Sequence, residues 1–111
     1  MTVLILEPDG FPDAALDRLR ARHQVLLGPD APGAQDAETV FVRLAGAIDA
    51  AFHARHPRLR HIVSPTTGLN HIDLEHFAAV GVEVLSLRGR VDFLDHIHAT
   101  AEHTLALVLA L

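Results

Sequence analysis

A layered α/β domain on an open parallel sheet is the fold class this 111-residue sequence predicts. Three observations lead there. Short apolar runs rich in Val, Ile and Leu recur along the chain. They are continuous more than alternating, as strands buried on both faces of a parallel sheet read. Stretches with helical spacing lie between them, so strand and helix alternate and right-handed crossovers follow.

The first run, residues 3–6, lies in "MTVLILEPDG". It has no basic region before it and is too short for a secretory signal, so it is a first strand. Residues 13–22 place Ala14, Leu16 and Leu19 at helical spacing. The second run is 24–27. The crossover that follows, "GPDAPGAQDAET" at 28–39, carries two Pro and two Gly. A parallel connection needs a dozen residues or more, so little room remains there for a full helix. The third run is 40–42, and a helix over 48–55 follows until Pro57 stops it. Residues 61–63 form the fourth run. A helix over 73–80 ends at Gly81, the usual residue just past a helix end. The fifth run is 82–85. Beyond Gly89 the chain turns polar, and "TAEHTLALVLAL" from Thr100 is a strong helical pattern, with Thr100 as N-cap and Glu102 in the first turn. Its apolar residues face nearly every side and call for a cover. The expectation is either that the chain is cut off there or that a partner supplies the cover.

Composition excludes several chemistries. All nine cations are Arg; without Lys there is no Schiff-base chemistry and no Walker-type phosphate loop. Without Cys there are no disulfides, zinc thiolates or thiol nucleophiles. A net charge of −5 argues against nucleic acid or an anionic membrane as partner. No apolar run approaches the ~18 residues of a membrane span, and a cytoplasmic location is expected. The two serines, Ser64 and Ser86, lack a nucleophile-elbow context.

The stretch "IVSPTTGLNHID", residues 62–73, carries the chemistry. In open α/β sheets, ligands sit beyond the carboxyl ends of the strands. Gly68 lets backbone approach a ligand closely. Asn70 is the expected cap of the next helix, with Asp73 three residues on, and the N–H groups of Thr67 and Gly68 would then suit an anion, a carboxylate above all. A loop that merely caps its own helix has the same features.

"VSPTTGLNHIDLEHFAAVGVEVLSLRG" followed by "ATAEHTLALVLAL" resembles the D-isomer-specific 2-hydroxyacid dehydrogenases. The match is strong from about Val40 onward and weak before it. The resemblance implies a flavodoxin-like open parallel sheet of about five strands, truncated before a Rossmann domain. Residues 1–98 would be the substrate (catalytic) domain, and 99–111 the start of an interdomain helix. It further implies that the N–H groups of Thr67 and Gly68 help hold the substrate carboxylate, and that Thr100 approaches the nicotinamide. The partner would be a small 2-hydroxy or 2-keto acid, and the cofactor NAD or NADP, neither expected to bind tightly to this chain alone. The family's Gly-rich dinucleotide fingerprint and its catalytic Arg, Glu and His are not in this sequence, and His103 does not take their place.

Other residues are candidates too. Arg43, just after the third run, lies at the same expected sheet edge as Gly68 and could hold a carboxylate bidentately. Arg88 and Arg90 flank Gly89 after the fifth run. Glu7 and Asp9 look like half of a phosphoacceptor pocket, but the third run ends in Arg43 and no Lys is present. Among nine His, the pair His53 and His56 and the group His96, His98 and His103 raise metal binding; solvated or partly buried imidazoles are the plainer account, and no metal is expected. The expected function is thus the substrate-domain part of an NAD-dependent D-2-hydroxyacid dehydrogenase, inactive by itself. The alternative is an interaction module that docks through its C-terminal helix onto a nucleotide-binding chain or another copy of itself.

Overall fold

The computed structural model describes residues 1–44, 46–65 and 69–86. Five parallel strands form one sheet: β1 (Thr2–Ile5), β2 (Gln24–Leu27), β3 (Thr39–Phe41), β4 (His61–Ser64) and β5 (Glu83–Ser86), in the order β2-β1-β3-β4-β5. This is the flavodoxin-like strand order, with the order reversing between β1 and β3. Three α-helices flank the described sheet: α1 (Asp13–Arg20), α2 (Ala50–Arg55) and α3 (Leu74–Val80).

Burial follows position in the sheet. β3 is buried at every residue, as are Val3, Leu4 and Ile5 of β1 and Ile62, Val63 and Ser64 of β4. The outer strands β2 and β5 have no fully buried residue. A continuous apolar run is therefore needed only in the three inner strands, which are paired on both sides.

Alternate side chains feed two cores. Leu4, Val40 and Ile62 face α2 and α3 in a large cluster with Phe52, Leu59, Ile72 and Phe77. Val3, Ile5, Phe41 and Val63 face the other way, with Leu19 of α1 and the ring of Phe11. Phe11 meets Phe41 edge-on at 5.5 Å between centroids, a favoured aromatic arrangement. Phe77, fully buried, anchors α3; burying such a ring contributes roughly 3 kcal/mol at most by area transfer.

The narrow crossover is as thin as its composition implies. It holds one 3₁₀ turn, Ala34–Asp36, entered through Gly33 at φ +87°. An open hollow of about 470 Å³ remains beside it, bounded by Leu6, Pro29, Phe52, Arg55 and His56.

The third helix departs from expectation. It begins at Leu74, and its cap is Asp73, whose carboxylate accepts the His76 N–H at 3.1 Å. Asn70 is not the cap. The Ile72 N–H goes to the Leu69 carbonyl, closing a turn first. Ile48 and Ile72 then form a parallel bridge, with Ile48 N–H to His71 O at 2.8 Å and Asp73 N–H to Ile48 O at 2.9 Å. Buried Leu69 and Ile72 hold this turn down, so the helix starts only after the bridge. Its far end is as expected: Gly81 sits at φ +80° and stops the helix.

Candidate functional site

The register sets the carboxyl edge. Ile5 pairs with Phe41, Phe41 with Val63 and Val63 with Leu85. The ladder runs one step further, with Leu6 N–H to Phe41 O and Val42 N–H to Val63 O. Glu7 and Arg43, each two residues past a paired position, therefore stand side by side where the strand order reverses. In open α/β sheets that is where ligands bind.

Arg43 and Glu7 are joined at several points. The Glu7 carboxylate accepts the Arg43 N–H at 2.5 Å and the Leu44 N–H at 3.4 Å. It also lies 3.7 Å from the Arg43 Nε. The guanidinium Nη2 donates to the Asp9 carbonyl at 2.7 Å and to the Glu7 carbonyl at 3.3 Å. It passes close to Gly10, where an added Cβ would stand 4.0 Å from Nη1. Gly10 has φ +77°, so the β1–α1 loop folds tightly around the cation. The Arg43 side chain stays 44% exposed and that of Glu7 22% exposed. Next to them Leu44 is 70% exposed.

Chemically this is a carboxylate-binding cradle, two backbone N–H groups and a guanidinium, that already holds a carboxylate of the chain. Arg43 is thus at the expected edge, but much of its donor capacity is spent. Glu7 is the residue the sequence reading undervalued. Its partner lies 36 positions away, and only the adjacency of β1 and β3 brings the two together.

Of the other expected site residues, Thr67, Gly68 and Thr100 lie outside the described residues, as do Arg88 and Arg90. Pro65, just after β4, leads directly into the segment holding Thr67 and Gly68.

The described histidines make contacts of their own, while His96, His98 and His103 lie outside the described residues. His56 is buried and stacked on Phe52 at 4.2 Å, with its Nδ1 at 2.9 Å from the Phe52 carbonyl. His53 turns instead to His76, Nδ1 to Nε2 at 3.0 Å, and links α2 to α3. Among the described residues no group of three or more His, Asp or Glu is placed to hold a metal ion. Among the same residues no helix is long and apolar enough to cross a membrane.

The strand order β2-β1-β3-β4-β5, all parallel and flanked by helices, defines an open α/β domain of the flavodoxin-like class. The model of the D-isomer specific 2-hydroxyacid dehydrogenase catalytic domain matches residues 15–106, and the chain belongs to that family. It is 35% identical over 75 residues to the D-3-phosphoglycerate dehydrogenase of Mycobacterium tuberculosis (strain ATCC 25618 / H37Rv), a stretch that is 68% of this chain and 13% of that protein. The enzyme of the same name in Mycobacterium leprae (strain TN) matches equally. Among solved structures, the TT0316 protein of Thermus thermophilus is 30% identical with a TM-score of 0.63, over 76% of this chain and 29% of that one. An NAD+-bound 3-phosphoglycerate dehydrogenase of Entamoeba histolytica shares the fold at 21% identity and a TM-score of 0.60, over 78% of this chain and 32% of its own. The chain thus spans about an eighth of the length of the curated relatives it matches.

Proposed function

We propose that this domain is the substrate-holding wall of an NAD- or NADP-dependent D-2-hydroxyacid dehydrogenase. The observation that carries the proposal is the family match over residues 15–106, on a sheet whose carboxyl edge presents polar loops at the β1/β3 reversal. A small 2-hydroxy or 2-keto acid lies across that edge. Its carboxylate is held by the N–H groups of Thr67 and Gly68, which the family resemblance assigns. Arg43, at the same carboxyl edge and paired with Glu7, borders the acid. Thr100 stands on the nicotinamide side.

The reaction would pass a hydride between C2 of the acid and the cofactor. The residues present do not supply a dinucleotide's phosphate cradle: the sequence has no Gly-rich phosphate loop and no Lys, and the Arg43 guanidinium at the carboxyl edge is already engaged. The nucleotide-binding half and the base for the hydroxyl proton must come from outside these residues. The chain by itself binds and orients the acid and does not turn it over.

Two measurements test this. Titrating the isotopically labelled chain with glycolate or glyoxylate should move the amide resonances of Thr67 and Gly68 saturably. Unmoved resonances up to tens of millimolar acid would overturn the binding role. An NADH oxidation assay across several 2-keto acids should show no turnover by the chain alone, and turnover would refute the division of labour.

A further inference from the structure

The contact between Glu7 and Arg43 has the make-up of a ligand site with its ligand tethered. A carboxylate rests on two consecutive backbone N–H groups, Arg43 and Leu44, beside a guanidinium. The sheet does not need this carboxylate, since β1 is already paired on both sides before Glu7 is reached. The guanidinium is fixed separately by the carbonyls of Glu7 and Asp9, so the cradle does not depend on the Glu7 side chain to keep its shape.

We infer that Glu7 is a specificity residue: it fills the Arg43–Leu44 cradle and closes that end of the cleft to a second anionic group. This rests on the substrate cleft proposed above. The acid taken would then carry one carboxylate and a neutral remainder, not a phosphate or a second carboxylate. A free anion must displace a carboxylate whose effective concentration, set by a short tether, is on the order of millimolar or more. It must also approach the negative charges of Glu7 and Asp9 against the single cation Arg43 in these two loops. The named mycobacterial relatives carry a phosphorylated acid in their name; the inference is that this chain does not take such an acid.

The test uses inorganic phosphate as probe and the amide resonances of Arg43 and Leu44 as reporters. The native chain should show no saturable shift at these two amides. Glu7→Gln, which keeps shape and removes charge, should bind phosphate there at least tenfold more tightly, and adding Arg43→Gln should abolish the gain. Glu7→Asp draws the carboxylate back by one methylene and should give an intermediate affinity, which keeps the test decisive if Glu7→Gln folds poorly. Saturable phosphate binding by the native chain, or no gain in either variant, would overturn the inference. The Thr67 and Gly68 amides report separately: if glycolate leaves them unmoved while Glu7→Gln gains phosphate, the cleft proposal fails and the cradle stands.

Discussion

Among the carboxylates that accept backbone N–H groups at the carboxyl edge of the sheet, Asp73 and Glu7 arrived by different routes. Asp73 accepts the N–H three residues ahead and starts α3. Glu7 accepts N–H groups 36 and 37 residues away, across the gap between β1 and β3. The first is a local cap, whose value lies in satisfying a helix donor. The second satisfies donors that a ligand or water could equally satisfy, and it neutralises a half-exposed Arg. A short-range carboxylate at this edge is therefore architecture. A long-range one is a filled site.

The widest gap between the two should open with Phe77→Ala. The fully buried ring is the anchor of α3, and its loss should cost about 3–5 kcal/mol in urea unfolding. The Asp73 cap should fray with it, while the Arg43 and Leu44 amides keep their native shifts. Next come the two ends of α3 separately. Asp73→Ala should cost about 1 kcal/mol, as cap removals do. Gly81→Ala should cost about 1–2 kcal/mol for placing a Cβ at φ +80°, with no steric neighbour adding to it. Both are read from denaturation midpoints at unchanged slope. Glu7→Gln should cost under about 1 kcal/mol, because an exposed Arg–carboxylate pair contributes little to stability. Near 1 M salt, where the screening length falls to about 3 Å, the native chain should lose most of that difference while the Asp73→Ala deficit stays. The smallest effect belongs to His53→Phe, which cuts the imidazole pair between α2 and α3 and should cost about 1 kcal/mol or less. A Glu7→Gln deficit as large as that of Asp73→Ala would erase the distinction between cap and filled site.

Legibility in the sequence tracks the same distinction. The five strands, the stop at Gly81 and the thin crossover are readable because period, glycine and length are local signals. The strand order follows from the family resemblance and agrees with the sheet. The start of α3 is not readable in the same way. Asn70 and Asp73 are both good caps, and the choice falls to the Ile48–Ile72 bridge, a contact between loops that no local window contains. Arg43 stands at the edge that its position after the third apolar run implies. Its partner is hidden from any local pattern, since Glu7 follows β1 and the pairing of β1 with β3 skips over β2. His53 and His56 share a helix face in sequence, yet one reaches to α3 and the other stacks on Phe52; α2 ends at Arg55, and His56 has already left the helix at φ −131°.

The position of β1 has a consequence for how the chain assembles on the ribosome. β1 lies between β2 and β3, so the first hairpin-length piece to emerge can lay down only one side of it. Its other side stays open until Phe41 has left the exit tunnel. From then on each new strand adds to the same growing border, β4 on β3 and β5 on β4. From β3 onward the nascent sheet thus extends in one direction only, and the half-built border, the unpaired backbone edge of β3, is the surface a chaperone would need to shield.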